Sequence, residues 1–199
     1  DAARARDPQA ISILVAQIEL DVARGDMQAA LRRCDETVAR EDNVFARMLR
    51  GMTYSAFRRY EEARADFDQM VALDPEKAEV WVTRSDFFRQ IGRLSEAVSD
   101  MDQALELAPE NLAVQRKALD LFLASGDPAL SERASVLVEQ ALRVHPDDVV
   151  LKLNQAKVLL RRYTAPATEQ ARSVLREITE KRPKQIGRAS CRERVCHRV

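Results

Sequence analysis

Helix-breaking prolines recur along this chain at an almost constant interval. Pro75, Pro109, Pro146 and Pro183 follow one another at nearly equal steps. Pro8 precedes Pro75 by about twice such a step, which leaves room for one further boundary between them. A regular spacing of roughly 35 residues indicates an array of repeated helical units. Because such an array presents a long surface, the spacing favours a binding function over catalysis.

Other residues recur in phase with these prolines. When the units that begin at Val44 and Ala78 are numbered so that the proline is position 32, small residues fall at positions 8 and 20, and at 27 in the latter, and large residues fall at positions 4, 11 and 24. Small residues let two antiparallel helices approach, large residues fill the space between layers, and the proline ends the second helix. The matching residues are Gly51, Tyr54, Ala63, Phe67 and Pro75 in the unit that begins at Val44, and Trp81, Ser85, Phe88, Ala97, Ala104 and Pro109 in the unit that begins at Ala78.

This pattern resembles the tetratricopeptide repeat (TPR) over about residues 8–183. The resemblance implies an all-α fold, a right-handed α-solenoid of about five helix-turn-helix repeats. Repeats four and five each carry three extra residues, which we expect in the turn inside the repeat, where added length costs little entropy. The array is expected to span residues 8–185, with repeats near 11–43, 44–77, 78–111, 112–148 and 149–185.

The two ends of the chain differ from this array. Residues 186–195 look like the in-frame translation of a short-read sequencing adapter, so we interpret residues 186–199 as a non-native tail. The chain begins at Asp1 without a methionine, so residues 1–7 are interpreted as the N-terminal flank of a fragment. The tail is therefore left out of the reasoning on fold and function.

Composition narrows the classes of partner. The formal net charge is zero, and the tail holds four arginines and one glutamate, so residues 1–185 carry a net charge of −3. This balance argues against nucleic-acid binding, which requires a basic face. No apolar run approaches the roughly 20 residues that a membrane-spanning helix needs, so no membrane insertion is predicted.

Arginine far outnumbers lysine, which indicates a GC-rich genome and favours a bacterial source. The compartment, cytoplasmic or exported, and the oligomeric state stay open.

The sequence offers no constellation for catalysis. Residues 1–185 contain no glycine-rich phosphate loop, no nucleophile motif and no paired metal-ligand spacing. Cys34 falls at a helix core position and is interpreted as a small buried apolar residue. His145 precedes Pro146 at a helix end, where a cation suits the helix dipole. We therefore predict that this segment is not an enzyme and has no catalytic residues, cofactor or metal.

The resemblance also implies where a partner binds. In tetratricopeptide arrays the first helix of each repeat lines the concave face, with groove-facing residues at positions 2, 5, 9 and 12. Phe45, Met48 and Met52 are apolar residues that packing between the helical layers does not require. Methionine can also adapt its shape to apolar ligands. The alternative is that these three residues pack against a missing preceding repeat or a bent neighbour. The predicted partner-binding residues are Val15, Phe45, Met48, Met52, Val82, Asp86, Arg89, Arg116 and Asp120.

Two functions follow as expectations from this resemblance. The first is a protein-interaction scaffold that holds a protein or peptide ligand, as an extended peptide or a partner helix, in the concave groove. The alternative is the non-catalytic arm of a larger enzyme, such as a glycosyltransferase, kinase or protease. The sequence on either side of this segment would discriminate between them.

Overall fold

The computed structural model describes residues 8–181, and within this range the chain forms ten α-helices and no strand. The predicted flank at 1–7 and the predicted non-native tail at 186–199 lie outside the described residues. The chain divides into two compact units, with the boundary between Ala108 and Pro109. The helices are α1 (Pro8–Ala23), α2 (Met27–Arg40), α3 (Val44–Ala56), α4 (Tyr60–Leu73), α5 (Ala78–Gln90), α6 (Leu94–Leu107), α7 (Leu112–Ala124), α8 (Pro128–Val144), α9 (Val149–Arg161) and α10 (Ala165–Lys181).

Each unit is built from antiparallel helical hairpins. In the first unit α1 pairs with α2, α3 with α4 and α5 with α6, while α3 also packs against α1 and α2, and α5 against α3 and α4. In the second unit α7 pairs with α8 and α9 with α10, and α9 also packs against α7 and α8. A first helix that follows another hairpin of its unit therefore contacts both helices of that hairpin. None of the ten helices has the length and apolar character that crossing a bilayer requires.

Small residues lie where helices touch. Position 20 is an alanine in all five repeats, and each of these alanines is fully buried. At position 8, a Cβ atom added to Gly51 would lie 3.2 Å from the ring of Phe67, so α3 approaches α4 more closely than a side chain at this point would comfortably allow. The five alanines are Ala30, Ala63, Ala97, Ala134 and Ala171.

All five hairpins turn in the same way. Each turn contains three residues, and its middle residue, at position 15, has a positive φ. Three of these residues are glycines, which adopt this conformation without steric cost. The other two are Arg58, with φ of 59°, and Tyr163, with φ of 49°. Glycine at position 15 therefore suits the backbone of the turn, whereas Arg58 and Tyr163 adopt the same conformation at a steric cost.

We expect Arg58→Gly to raise the free energy of unfolding by about 1 kcal/mol. The left-handed conformation costs an ordinary residue roughly 1–2 kcal/mol, and the greater freedom of glycine in the unfolded chain offsets part of that gain. Urea denaturation followed by circular dichroism measures the change. Gly92→Arg is the reciprocal control: no atom lies within 4 Å of its added Cβ, so the expected loss reflects the backbone alone. A less stable Arg58→Gly variant would contradict this account.

The extra residues of repeats four and five lie in helices. The second helices α8 and α10 contain 17 residues each, whereas α2, α4 and α6 contain 14. The prediction that the insertions lengthen the turn was therefore wrong. At the start of α8, Asp127 accepts hydrogen bonds from the N–H groups of Ala129 and Leu130, and Pro128 occupies the first turn. An aspartate cap followed by proline starts a helix, so the added residues extend α8 by nearly one turn.

A repeated ion-pair motif links the second helices of the first unit. Arg50 donates two hydrogen bonds of 2.7 Å to the buried Asp66 in its own repeat and one of 2.8 Å to Asp35 in the preceding repeat. Arg84 shows the same arrangement in the next repeat, with the buried Asp100 and with Asp68, all at 2.8 Å. The hydrogen bonds to Asp66 and Asp100 raise the pKa of Arg50 and Arg84 respectively. Each arginine therefore joins two successive hairpins while neutralising a buried carboxylate.

Candidate partner-binding site

A cavity of about 670 Å³ opens between the first helices α3 and α5 of the first unit. We refer to it as the α3–α5 cavity. It is bounded on one side by residues of α3, on the other by residues of α5, and α4 contributes one aromatic ring. The lining residues are Met48, Met52, Ser55, Ala56, Phe67, Thr83, Asp86, Phe87, Arg89 and Gln90.

The apolar part of this cavity combines rigid rings with flexible thioethers. Phe67 and Phe87 are buried, and their ring centroids lie 4.8 Å apart in a tilted arrangement. Met48 is half-buried, whereas Met52 is 55% exposed. A methionine side chain can adjust its shape to an apolar ligand. The cavity therefore offers an adaptable apolar surface that rests on a fixed aromatic pair.

Polar groups of both signs line the same cavity. An Asp86 oxygen lies 3.6 Å from an Arg89 guanidinium nitrogen one helical turn away, and both side chains are partly exposed. The Ser55 hydroxyl donates to the side-chain oxygen of Gln90 at 3.4 Å, which links α3 to α5. These groups can hydrogen-bond to a peptide backbone or to polar side chains beside an apolar contact.

The structure brings together four of the nine predicted site residues. Met48, Met52, Asp86 and Arg89 all line the α3–α5 cavity. Val82 lies half-buried on α5 and is not part of the lining, which instead includes Thr83.

Phe45 and Val15 lie elsewhere in the first unit. Both are partly buried and pack against a core cluster formed by residues of α1, α2 and α3. Phe45 also contributes to a second cavity of about 270 Å³, lined mainly by α1 and α2. Phe45 therefore contacts the α1–α2 hairpin, whereas Met48 and Met52 line the α3–α5 cavity, although all three residues lie on α3. The core cluster consists of Ile18, Ala30, Cys34 and Leu49.

Arg116 and Asp120 belong to the second unit. They lie one turn apart on α7, where Arg116 is partly buried and Asp120 is exposed. Arg116 donates a hydrogen bond to Asp148, the residue that caps α9 by accepting from the Leu151 N–H at 2.9 Å. Burial would raise the pKa of Asp148, but the hydrogen bonds from Leu151 and Arg116 hold it below its usual value. Arg116 thus fixes the start of α9 against α7.

Several lining residues were not among the predicted partner-binding residues. On α5, Thr83, Phe87 and Gln90 are spaced by four and three residues, so they form one stripe beside the predicted stripe. Because α3 and α5 border the cavity from opposite sides, the lining residues of the two helices differ in part in their repeat positions. The apolar Phe87 at a position next to Asp86 was the sequence signal available for this second stripe.

Within residues 8–181, other chemistry-bearing groups give no further candidate site. Cys34 is fully buried, as predicted, and its sulfur lies 3.3 Å from the Thr53 hydroxyl. Burial raises the pKa of this thiol, which keeps it protonated near neutral pH. Across the described part of the chain, no group of three or more histidine, cysteine, aspartate or glutamate side chains is arranged to hold a metal ion.

Known structures share this arrangement of helices. MamA is 17% identical, with 84% of this chain and 96% of MamA covered and a TM-score of 0.64. YrrB, described as a TPR protein with an unusual peptide-binding site, is 13% identical, with 90% of each chain covered and a TM-score of 0.59. The O-GlcNAc transferase of Thermobaculum terrenum is 25% identical, with 70% of this chain and 27% of that chain covered and a TM-score of 0.50.

Sequence comparison identifies the family. The tetratricopeptide repeat profile matches residues 9–78 and 48–112, which together span more than half of the chain. Among curated proteins, no sequence matches this chain significantly. The helices and the similar structures confirm the predicted all-α fold class, an α-solenoid of TPR hairpins. The chain therefore belongs to the tetratricopeptide repeat family.

Proposed function

We propose that this chain is a protein-interaction scaffold that holds a peptide segment or a partner helix against the first helices of its repeats, with the α3–α5 cavity as the main contact. The observation that carries the proposal is the position of Met48 and Met52. These two methionines face a cavity between neighbouring repeats and lie beside Asp86 and Arg89. A small interface gains most of its binding energy from a few desolvated apolar residues.

The cavity chemistry indicates which part of a partner it receives. Its apolar surface suits one large apolar side chain, since the buried rings of Phe67 and Phe87 lie behind the adaptable methionines. The Asp86–Arg89 pair supplies both an acceptor and donors next to that surface. A peptide with an apolar residue flanked by polar residues of mixed charge fits this lining.

The test replaces the apolar surface with charge. A peptide selected for binding from a displayed random library is titrated against the protein and against the Met48→Asp, Met52→Asp double variant. We expect affinity to fall at least about tenfold, which corresponds to roughly 1.4 kcal/mol. Val144→Asp is the matched control because Val144 is an exposed apolar residue on α8 that does not line the cavity.

A second readout locates the contact. With 13C-labelled methionine methyl groups, bound peptide should shift the signals of Met48 and Met52. The buried Met70 and Met101 serve as internal references in the same spectrum. Unchanged affinity in the double variant, or shifts confined to the reference methionines, would contradict binding at this cavity.

The similarity to the O-GlcNAc transferase supports a second candidate, the non-catalytic arm of a larger enzyme. The matched region makes up 27% of that transferase chain. In this case the cavity would serve a catalytic domain carried by the same polypeptide. Determining the coding sequence that flanks this segment tests the idea: an adjoining glycosyltransferase, kinase or protease domain would favour it, and further repeats alone would contradict it.

A further inference from the structure

Helix α1 exposes an apolar stripe. Ile13 is 58% exposed and Leu20 is 48% exposed, and Ala16 between them is exposed as well. The spacing of three and four residues places all three side chains on one face of the helix. A helix at the surface of a soluble protein ordinarily turns a polar face to water. This stripe therefore calls for a physical explanation.

The repeat numbering shows what covers the same face elsewhere. Ile13 and Leu20 occupy positions 3 and 10 of the first repeat. In α3, α5 and α9, the first helices that follow another hairpin within their unit, the residues at these positions are between 0% and 6% exposed. The equivalent pairs are Ala46 and Thr53, Val80 and Phe87, and Leu151 and Val158.

The partner of this face is the second helix of the preceding hairpin. The Thr53 hydroxyl of α3 lies 3.3 Å from the sulfur of Cys34 on α2. Phe87, at position 10 of α5, likewise lies with its ring centroid 4.8 Å from that of Phe67 on α4, and α9 packs against α8. Position 10 thus meets the preceding second helix, and α1 carries large apolar residues at both positions although no described helix precedes it.

The polar surroundings of the stripe define the chemistry of the occupant. In the second and third repeats, the arginine at position 7 pairs with an aspartate of the preceding second helix. In the first repeat position 7 is Gln17, whose side-chain oxygen accepts a hydrogen bond from Arg33 within the same hairpin. The occupant of the α1 face therefore needs no aspartate at that point, and its contact is apolar.

We infer that Ile13, Ala16 and Leu20 form a docking surface for the second helix of a further tetratricopeptide hairpin, joined ahead of α1 in the same polypeptide. The correspondence with α3, α5 and α9 favours such a hairpin over a second copy of this chain. The second helix of such a hairpin would pack against α1 as α2 packs against α3, α4 against α5 and α8 against α9.

The test supplies the missing hairpin in cis. Residues 44–77, which form α3 and α4, are placed directly before Ile11 in place of residues 1–10. Lys77 then precedes Ile11 as it naturally precedes Ala78, the equivalent first residue of its repeat. We expect the midpoint of thermal unfolding to rise by at least about 5 °C relative to both the 199-residue chain and the chain that begins at Ile11.

Charge on the stripe should remove that gain. Ile13→Lys with Leu20→Lys is expected to change the midpoint of the 199-residue chain by less than about 2 °C, because both side chains are already exposed, and to abolish the rise in the extended chain. Val136→Lys, at an exposed apolar residue of α8, is the matched control and should leave the rise intact.

Three results would overturn the inference. One is the absence of a rise, or a rise that survives both lysine substitutions. Another is unfolding of the 199-residue chain by these substitutions, which would show that the stripe serves its own hairpin. The third, measured by analytical ultracentrifugation, is a dimer of the 199-residue chain that the same substitutions dissociate, since a second copy would then be the occupant.

Discussion

Arg84→Met is expected to lower the free energy of unfolding by roughly 3–5 kcal/mol, the range for removing one partner of a buried ion pair. The side chain of Asp100 is only 6% exposed and accepts two hydrogen bonds from Arg84, whose own side chain is 17% exposed. Methionine keeps much of the side-chain volume beside Trp81 and Phe88 but leaves the carboxylate without this cation. Urea denaturation monitored by circular dichroism measures the loss.

Two variants separate the effect of charge from that of packing. Arg84→Met combined with Asp100→Leu should recover much of the stability, since no carboxylate is then buried. Arg89→Met should cost less than about 0.5 kcal/mol, because Arg89 is exposed and its contact with Asp86 spans 3.6 Å. A double variant as unstable as the single one would show that the buried charge is not the cause.

The sequence predicted the helices because their determinants are local. Prolines, turn glycines and in-phase alanines act within one hairpin, and the numbering that they define places buried alanines correctly in all five repeats. The ion pairs were missed because they join residues of different helices, within one hairpin for Asp66 and Asp100 and between successive hairpins for Asp35 and Asp68. Arg50 and Asp35 are 15 residues apart in sequence but belong to successive repeats, so their pairing follows only from the stacking of those repeats.

The candidate site was predictable only in part, because the repeat period gives the face of each helix but not how neighbouring helices are placed. Periodicity selects the face of each first helix, and it brought Met48, Met52, Asp86 and Arg89 to one cavity. It does not give the offset between neighbouring first helices, which decides which stripe of each helix borders the space between them. Phe45 shows this limit, since it follows the predicted spacing but packs against the α1–α2 hairpin.

In the second unit, Phe122→Ala is expected to lower the free energy of unfolding by roughly 3–5 kcal/mol. Phe122 occupies position 11 of the fourth repeat, is 1% exposed and is among the largest fully buried side chains of the described chain. The guanidinium of Arg133 on α8 lies 4.5 Å from the ring centroid, so the substitution also removes a cation–π contact between α7 and α8. Differential scanning calorimetry and urea denaturation measure the loss.

Matched substitutions test whether the loss of stability comes from the cavity that Phe122→Ala leaves in the core. Phe122→Leu should cost less than half as much because leucine fills most of the space, and Leu160→Ala, at an exposed site on α9, should change stability by less than about 0.5 kcal/mol. Because each repeat packs mainly against its neighbours, hydrogen exchange in Phe122→Ala should lose protection first in α7, α8 and α9. Equal loss of protection in α1 and α2 would instead show that the described helices unfold as one cooperative unit.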